Sequence, residues 1–269
     1  MKELVVGALQ LPTLGMNATR LEFYLKKAKE RETKILLFGE YVLNHFFKEL
    51  ESMSRNMVKE QSTKHLKMLQ KFAIKYDITF IVPLVIVKKK KYYKTIARVT
   101  PKKTEFYQQQ ILIPYDHWNE KSFFSNKVAA LKKPMIFKQN GFNIAVMAGF
   151  ELHFDIFWDI VRRKKVDLVL LPTSSTFGSH ERWSELIKSR AFLYGSYILR
   201  ANRLGEFTDG DIKWNFYGDT MLVGPGGEIE MMLEDKESML IETIHKTVIK
   251  EQKKSWRFEQ ELKIRNKLQ

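Results

Sequence analysis

"VMAGFELHFD", Val146 to Asp155, reads as a buried strand that turns sharply into a helix. Before the turn runs an unbroken apolar stretch. After it, Phe154, Phe157, Trp158 and Val161 recur on one side of a helix expected over 153–165, with Ile156 and Ile160 beside them. Many α/β enzymes hold a nucleophile at such a turn. Here the position is Gly149, and the chain has no cysteine at all.

Outward from this stretch, short apolar runs alternate with helical patterns, which points to a layered α/β fold. "LVVGALQ" (4–10), "ILLFG" (35–39), "ITFIVPLVIV" (78–87) and "DLVLLPT" (167–173) read as strands. Asn17 is expected to cap a helix with Leu21, Tyr24, Leu25 and Ala28 on one face. A second helix carries Leu66, Leu69, Ala73 and Tyr76. Pro83 predicts an edge position or a bulge. "VKKKKYY" (87–93) reads as a hairpin tip within an antiparallel meander, Asn140-Gly141 as a tight turn, and "GPGGE" as a hairpin turn. A further helix is expected over 181–196. No repeat or linker divides the chain, so one domain over 1–246 is expected, followed by a basic helical extension over 247–269.

The 269 residues, 44% hydrophobic with 13 glycines and 7 prolines, suit a compact globular fold. No apolar run reaches the roughly 18 residues needed to span a bilayer, and the amino terminus lacks a signal peptide's apolar block. A cytoplasmic protein without membrane association is expected. The absence of cysteine excludes disulfides, thiolate metal sites and cysteine nucleophiles. The net charge of +15 raises nucleic-acid binding as a minor alternative, but 34 of the 46 basic residues are lysines scattered over surface-type positions. The six histidines show no metal-ligand spacing, and no cofactor or metal is expected.

Glu40, Glu151 and Thr173 stand at strand ends, where ligands collect in sheets of this kind. Glu40 and Glu151 are thus candidates for one shared pocket, or else each caps a turn. Ser174 and Ser175 lack a nucleophile-elbow motif. The aromatic stretch "YDHWNEKSFF" (115–124), with Trp118, either floors a pocket or buries itself.

In order and spacing, these segments resemble the nitrilase, or carbon–nitrogen hydrolase, superfamily. The resemblance rests on "VGALQLPT", "ILLFGEYVLNHFF", "IPYDHWNEKSFF", "FNIAVMAGFELHF", "VDLVLLPT", "HERWSELIKSRAFLYGSYILRANRLGE" and "FYGDTMLVGPGGEIE". The loop around Asn119-Glu120 is similar to the N-carbamoyl-amide hydrolase branch. The resemblance implies an α/β fold that is a four-layer α-β-β-α sandwich, commonly dimeric through its helices. It also implies a glutamate base, a lysine, and a cysteine that forms a thioester with an amide or nitrile carbon. A thiol must lose its proton to attack, and the oxyanion then needs a cation and a backbone N–H.

Carried over by position, the base is Glu40 and the second glutamate Glu120. The lysine falls on Gln110, or on Gln109 if Tyr107 is aligned instead, so no cation is expected. The cysteine falls on Gly149, with the Phe150 N–H as oxyanion donor. Loss of a nucleophile leaves roughly 10³–10⁴-fold catalysis over water. The expectation is therefore a family member inactive by the Glu-Lys-Cys route, retaining a pocket for a small amide- or carbonyl-bearing ligand or serving a protein partner, and forming a homodimer. Without its lysine, Glu40 should have a raised pKa. Gly149 should relax a strained elbow. The alternatives are a hydrolase in which Glu40 with Glu120 or Glu151 activates water, and a basic nucleic-acid-associated scaffold.

Overall fold

The apolar runs form strands buried on both faces, as expected where helices cover the outside of two packed sheets. The computed structural model describes residues 2–16 and 18–266, so the expected cap at Asn17 and the last three residues of the tail lie outside the described residues. In chain order come β1 (Glu3–Gln10), α1 (Ala18–Glu30), β2 (Ile35–Phe38), α2 (Phe47–Leu50), α3 (Arg55–Tyr76), β3 (Thr79–Lys88), β4 (Lys91–Val99) and β5 (Thr104–Gln108). The ribbon β6 (Pro114–Tyr115) and β7 (Trp118–Asn119) and the short α4 (Glu120–Phe123) lead to β8 (Met135–Gln139) and β9 (Phe142–Val146). Then follow α5 (Asp155–Arg163), β10 (Leu168–Thr173), α6 (His180–Tyr194), β11 (Tyr197–Asn202) and the hairpin β12 (Leu204–Asp209) and β13 (Ile212–Tyr217). The chain closes with β14 (Met221–Val223), β15 (Ile229–Met232), β16 (Ser238–His245), α7 (Lys246–Trp256) and α8 (Phe258–Asn266).

One sheet has the order β16-β1-β2-β3-β4-β5 and the other β15-β14-β11-β10-β9-β8. Each has three parallel central strands, β1-β2-β3 and β9-β10-β11, flanked by antiparallel ones. Period-2 alternation sorts the apolar residues between layers. Val6, Ala8, Ile35 and Leu37 meet Ile144, Val146, Leu168 and Leu170 between the sheets. Leu36, Phe38 and Phe80 turn outward against Leu21, Leu25, Leu69 and Ala73 of α1 and α3. Ala145, Val169 and Leu171 do the same against Phe157, Trp158, Ile187 and Ala191 of α5 and α6. Each Val, Leu, Ile or Phe side chain among these contributes about 1.5–3 kcal/mol on full burial, so both faces of both sheets drive the stacking. The result is the expected α-β-β-α sandwich.

Two details differ from the sequence reading. Pro83 sits in an inner strand, in unbroken register opposite Ile96. It is tolerated because the parallel ladder with β2 covers only Thr79 to Ile81, leaving no partner strand on that side at 83. The helix expected over 153–165 is two pieces. Gly149–His153 forms a 3-10 turn, extended Phe154 (φ −104, ψ 118) interrupts it, and α5 starts at Asp155.

Candidate active site

Three strand ends converge where the sheets meet. The Glu40 N–H donates to the Thr173 carbonyl at 3.0 Å, tying the end of β2 to the end of β10. A Cβ at Gly39 would lie 3.1 Å from the Arg203 nitrogen and 3.2 Å from the Asn202 carbonyl carbon, so glycine permits this approach to β11. Asn202 then fixes the loop after β10. Its Oδ1 accepts from Thr173 Oγ1 (2.9 Å) and from the Ser175 N–H (2.7 Å).

Below this rim lies a buried trio of charges. Lys94 Nζ donates to Glu120 Oε1 at 2.6 Å and to Glu40 Oε2 at 3.1 Å. Tyr41 OH donates to Glu120 Oε1 at 2.8 Å, and Ser174 Oγ to Glu40 Oε2 at 2.8 Å. Asn126 holds Lys94 from behind, accepting its N–H (2.9 Å) and donating to its carbonyl (2.8 Å) and to that of Gln109 (2.8 Å). Burial raises the pKa of Glu40, and Glu120 adds to this, while Lys94 and Ser174 offset part of it. Burial works against the ammonium of Lys94, but Glu120 and Glu40 outweigh it and raise its pKa.

Glu40 also lines a cavity of about 450 Å³. Gly149, Phe150 and the 173–177 loop form one wall, with Tyr115, His117, Trp118 and Trp183 around it. His153 and Arg182 lie on the same lining and are exposed to solvent. Both donors to Glu40 reach Oε2, so Oε1 has no protein hydrogen-bond partner among the described residues. Ser175 Oγ and Trp118 Nε1, also in the lining residues, are buried without a partner.

Gly149 is buried and does not have a positive φ. The expected relief of a strained backbone is therefore corrected: what distinguishes the position is space. A Cβ there would stand 3.0 Å from the Pro172 carbonyl oxygen and 3.1 Å from Thr173 Cγ2.

A carbon–nitrogen hydrolase family model matches residues 5–254. The chain belongs to that family. N-carbamoylputrescine amidase of Arabidopsis thaliana is 20% identical over 274 residues, covering 95% of this chain and 91% of the relative. The carbon–nitrogen hydrolase of Helicobacter pylori G27 superposes with a TM-score of 0.82 at 18% identity, over 96% and 94% of the two chains. A mutant amidase of Nesterenkonia sp. AN1, with the acetamide moiety of fluoroacetamide added covalently at its active-site cysteine, gives 0.75 at 17% identity, over 91% and 92%. At these identities the likeness of the two solved structures is one of fold.

Within this carbon–nitrogen hydrolase fold, Glu40, Trp118, Gly149, Phe150 and Thr173 share one cavity, and Glu120 stands behind it on Lys94. The expectation of a site without a cation is overturned. Gln110 faces away, its amide bonded to Tyr107 OH and to the Lys132 backbone, and the Gln109 amide bonds to the Ile111 carbonyl. The ammonium comes instead from the adjacent strand β4, where Lys94 is bonded through its backbone to Gln109. The raised pKa of Glu40 thus arises from burial and Glu120, with the lysine present.

Glu151 does not share the pocket. It is buried under the turn, accepting from Gln110 N–H (2.7 Å), Tyr107 OH (2.8 Å) and Ala148 N–H (3.2 Å), and burial pushes its pKa up to about 7 against those bonds. Of the two roles open to it, it takes turn capping. "YDHWNEKSFF" divides: Tyr115, His117 and Trp118 line the cavity, while Phe123 and Phe124 pack on Tyr92 and Phe47.

Lys94 and the Ser174–Glu40 bond were missed by the sequence reading. A signal for Lys94 existed. In "YYKTIARV", it alternates with Tyr92 and Ile96 on the buried face of the strand, where a lysine needs a buried partner.

Proposed function

We propose that this family member binds a small amide in the cavity beside Glu40 and does not process it through a thioester. The observation that carries the reading is the pairing of a complete Glu40–Lys94–Glu120 cluster with a side-chain-free position at Gly149. An amide suits Glu40 Oε1 in either protonation state, because it offers an N–H to a carboxylate and a carbonyl to a carboxylic acid. The aromatic lining supplies apolar surface for the ligand. The covalent acetamide adduct of the Nesterenkonia amidase supports the choice of ligand class.

The lining also favours a neutral or anionic ligand over a cationic one. Among the described residues Glu40 is its only carboxylate, and the lining also carries the exposed guanidinium of Arg182. An N-carbamoyl diamine, which carries an ammonium, therefore fits this cavity less well than acetamide or an N-carbamoyl amino acid.

Calorimetric titration tests this. Acetamide and an N-carbamoyl amino acid should bind saturably, and Glu40→Gln should weaken acetamide by about tenfold, or 1.4 kcal/mol. Stronger binding of the N-carbamoyl diamine, or affinity unchanged by Glu40→Gln, would contradict the reading. A second reading, hydrolysis directed by Glu40 as base, is favoured by its raised pKa beside a retained lysine.

A further inference from the structure

We propose that Ser174 serves as the nucleophile of this cavity, with Glu40 as its base. The proposal rests on reading the cavity as an amide site. Ser174 Oγ donates to Glu40 Oε2 at 2.8 Å, and both residues line the cavity, so a nucleophile–base pair already faces the ligand space.

The position follows from the sheet. Strands β9 and β10 are parallel neighbours, so Gly149 and Ser174 emerge on the same rim. The Cα of Thr173, the residue before Ser174, would lie 3.5 Å from a Cβ placed at 149. A carbonyl group seated over Gly149 is therefore next to the hydroxyl. The nucleophile would have moved by one strand from the family position, as the lysine has from the Gln109–Gln110 stretch to Lys94.

The hydroxyl is also held. Asn202 binds Thr173 and Ser175 on either side of it, so Ser174 is presented from a fixed loop. Lys94 donates to the same Glu40 oxygen that accepts from Ser174, which favours the ionised carboxylate that a base requires.

In the reaction, Ser174 Oγ bonds to the amide carbonyl carbon as its proton passes to Glu40. The C–N bond then breaks, and the departing nitrogen takes that proton, leaving as ammonia or an amine and an ester on Ser174. Water attacks the ester carbon and gives a proton to Glu40. The C–Oγ bond breaks, the carboxylic acid leaves, and the proton returns to Ser174.

The test uses the full chain with p-nitrophenyl acetate, which acylates without requiring amide cleavage. The expected result is a burst of about one p-nitrophenolate per chain, with the acetyl group mapped by peptide mass spectrometry to Ser174. Ser174→Ala and, independently, Glu40→Gln should each reduce the burst at least tenfold. Its rate in the native chain should rise with pH as Glu40 ionises. Acetyl groups confined to lysines, or a full burst from Ser174→Ala, would overturn the proposal. Titration of Ser174→Ala with acetamide separates the two claims. Binding without a Ser174 burst in the native chain refutes the nucleophile alone, whereas a Ser174 burst without acetamide binding refutes the amide reading alone.

Discussion

At the scale of single residues, the site is governed by three charges and one missing side chain. Lys94 neutralises one of two buried carboxylates, so replacing it with methionine leaves both uncompensated and should destabilise the fold by about 3–5 kcal/mol, read by chemical denaturation. At Gly149, Ala or Cys should cost about 1–3 kcal/mol, because the neighbouring Pro172 oxygen is backbone and cannot swing aside. A neutral or stabilising Gly149→Ala would show that the space is not limiting. Glu40 gives a signed pH dependence. Its folded pKa is raised, so its contribution is full below the unfolded value of 4.5 and is lost as pH rises through the folded value. The stability margin of the native chain over Glu40→Gln should therefore shrink as pH rises above the unfolded value of 4.5. A margin that widens would contradict the assignment. Gly149 was legible from sequence because its strand-to-helix setting is local. The Ser174–Glu40 bond was not, since it joins residues 134 positions apart whose meeting depends on how two sheets stack.

At the scale of elements, strand register and loop clamps do the positioning. Short apolar runs identified β1, β2, β9 and β10, and period-3.6 patterns identified α1 and α3, because burial leaves both signatures in the sequence. The β12–β13 hairpin was not read, although its Trp214 and Phe216 are buried against Phe46 and Trp118. Its partners are aromatic loops without periodicity of their own. The lysine illustrates the same limit: alignment of one strand placed it at Gln110, whereas the ladder brings Lys94 in from the next. Asn202 is the clamp of the loop after β10, and Asn202→Ala should cost about 1–3 kcal/mol by leaving the buried Ser175 N–H and Gly218 carbonyl without partners. Loss of stability without any loss of acetamide affinity would separate the loop from ligand binding.

For the molecule as a whole, two sheets meet through one apolar layer, and the cavity opens where their strand ends converge. The outer layer formed by α5 and α6 leaves apolar side chains at the surface, among them Ile156 on α5 and Leu193 on α6. A homodimer through this α5–α6 face is the assembly we propose, and light scattering after gel filtration should give twice the chain mass; a monomer would contradict it. The central claim, a small-amide site beside Glu40, is tested most directly by the indole N–H signals in an NMR titration with acetamide. Trp118 and Trp183 line the cavity, while Trp158, Trp214 and Trp256 do not. The predicted result is saturable movement of the first two, strongly reduced in Glu40→Gln. Stationary Trp118 and Trp183 signals, or the same movement in Glu40→Gln, would contradict it.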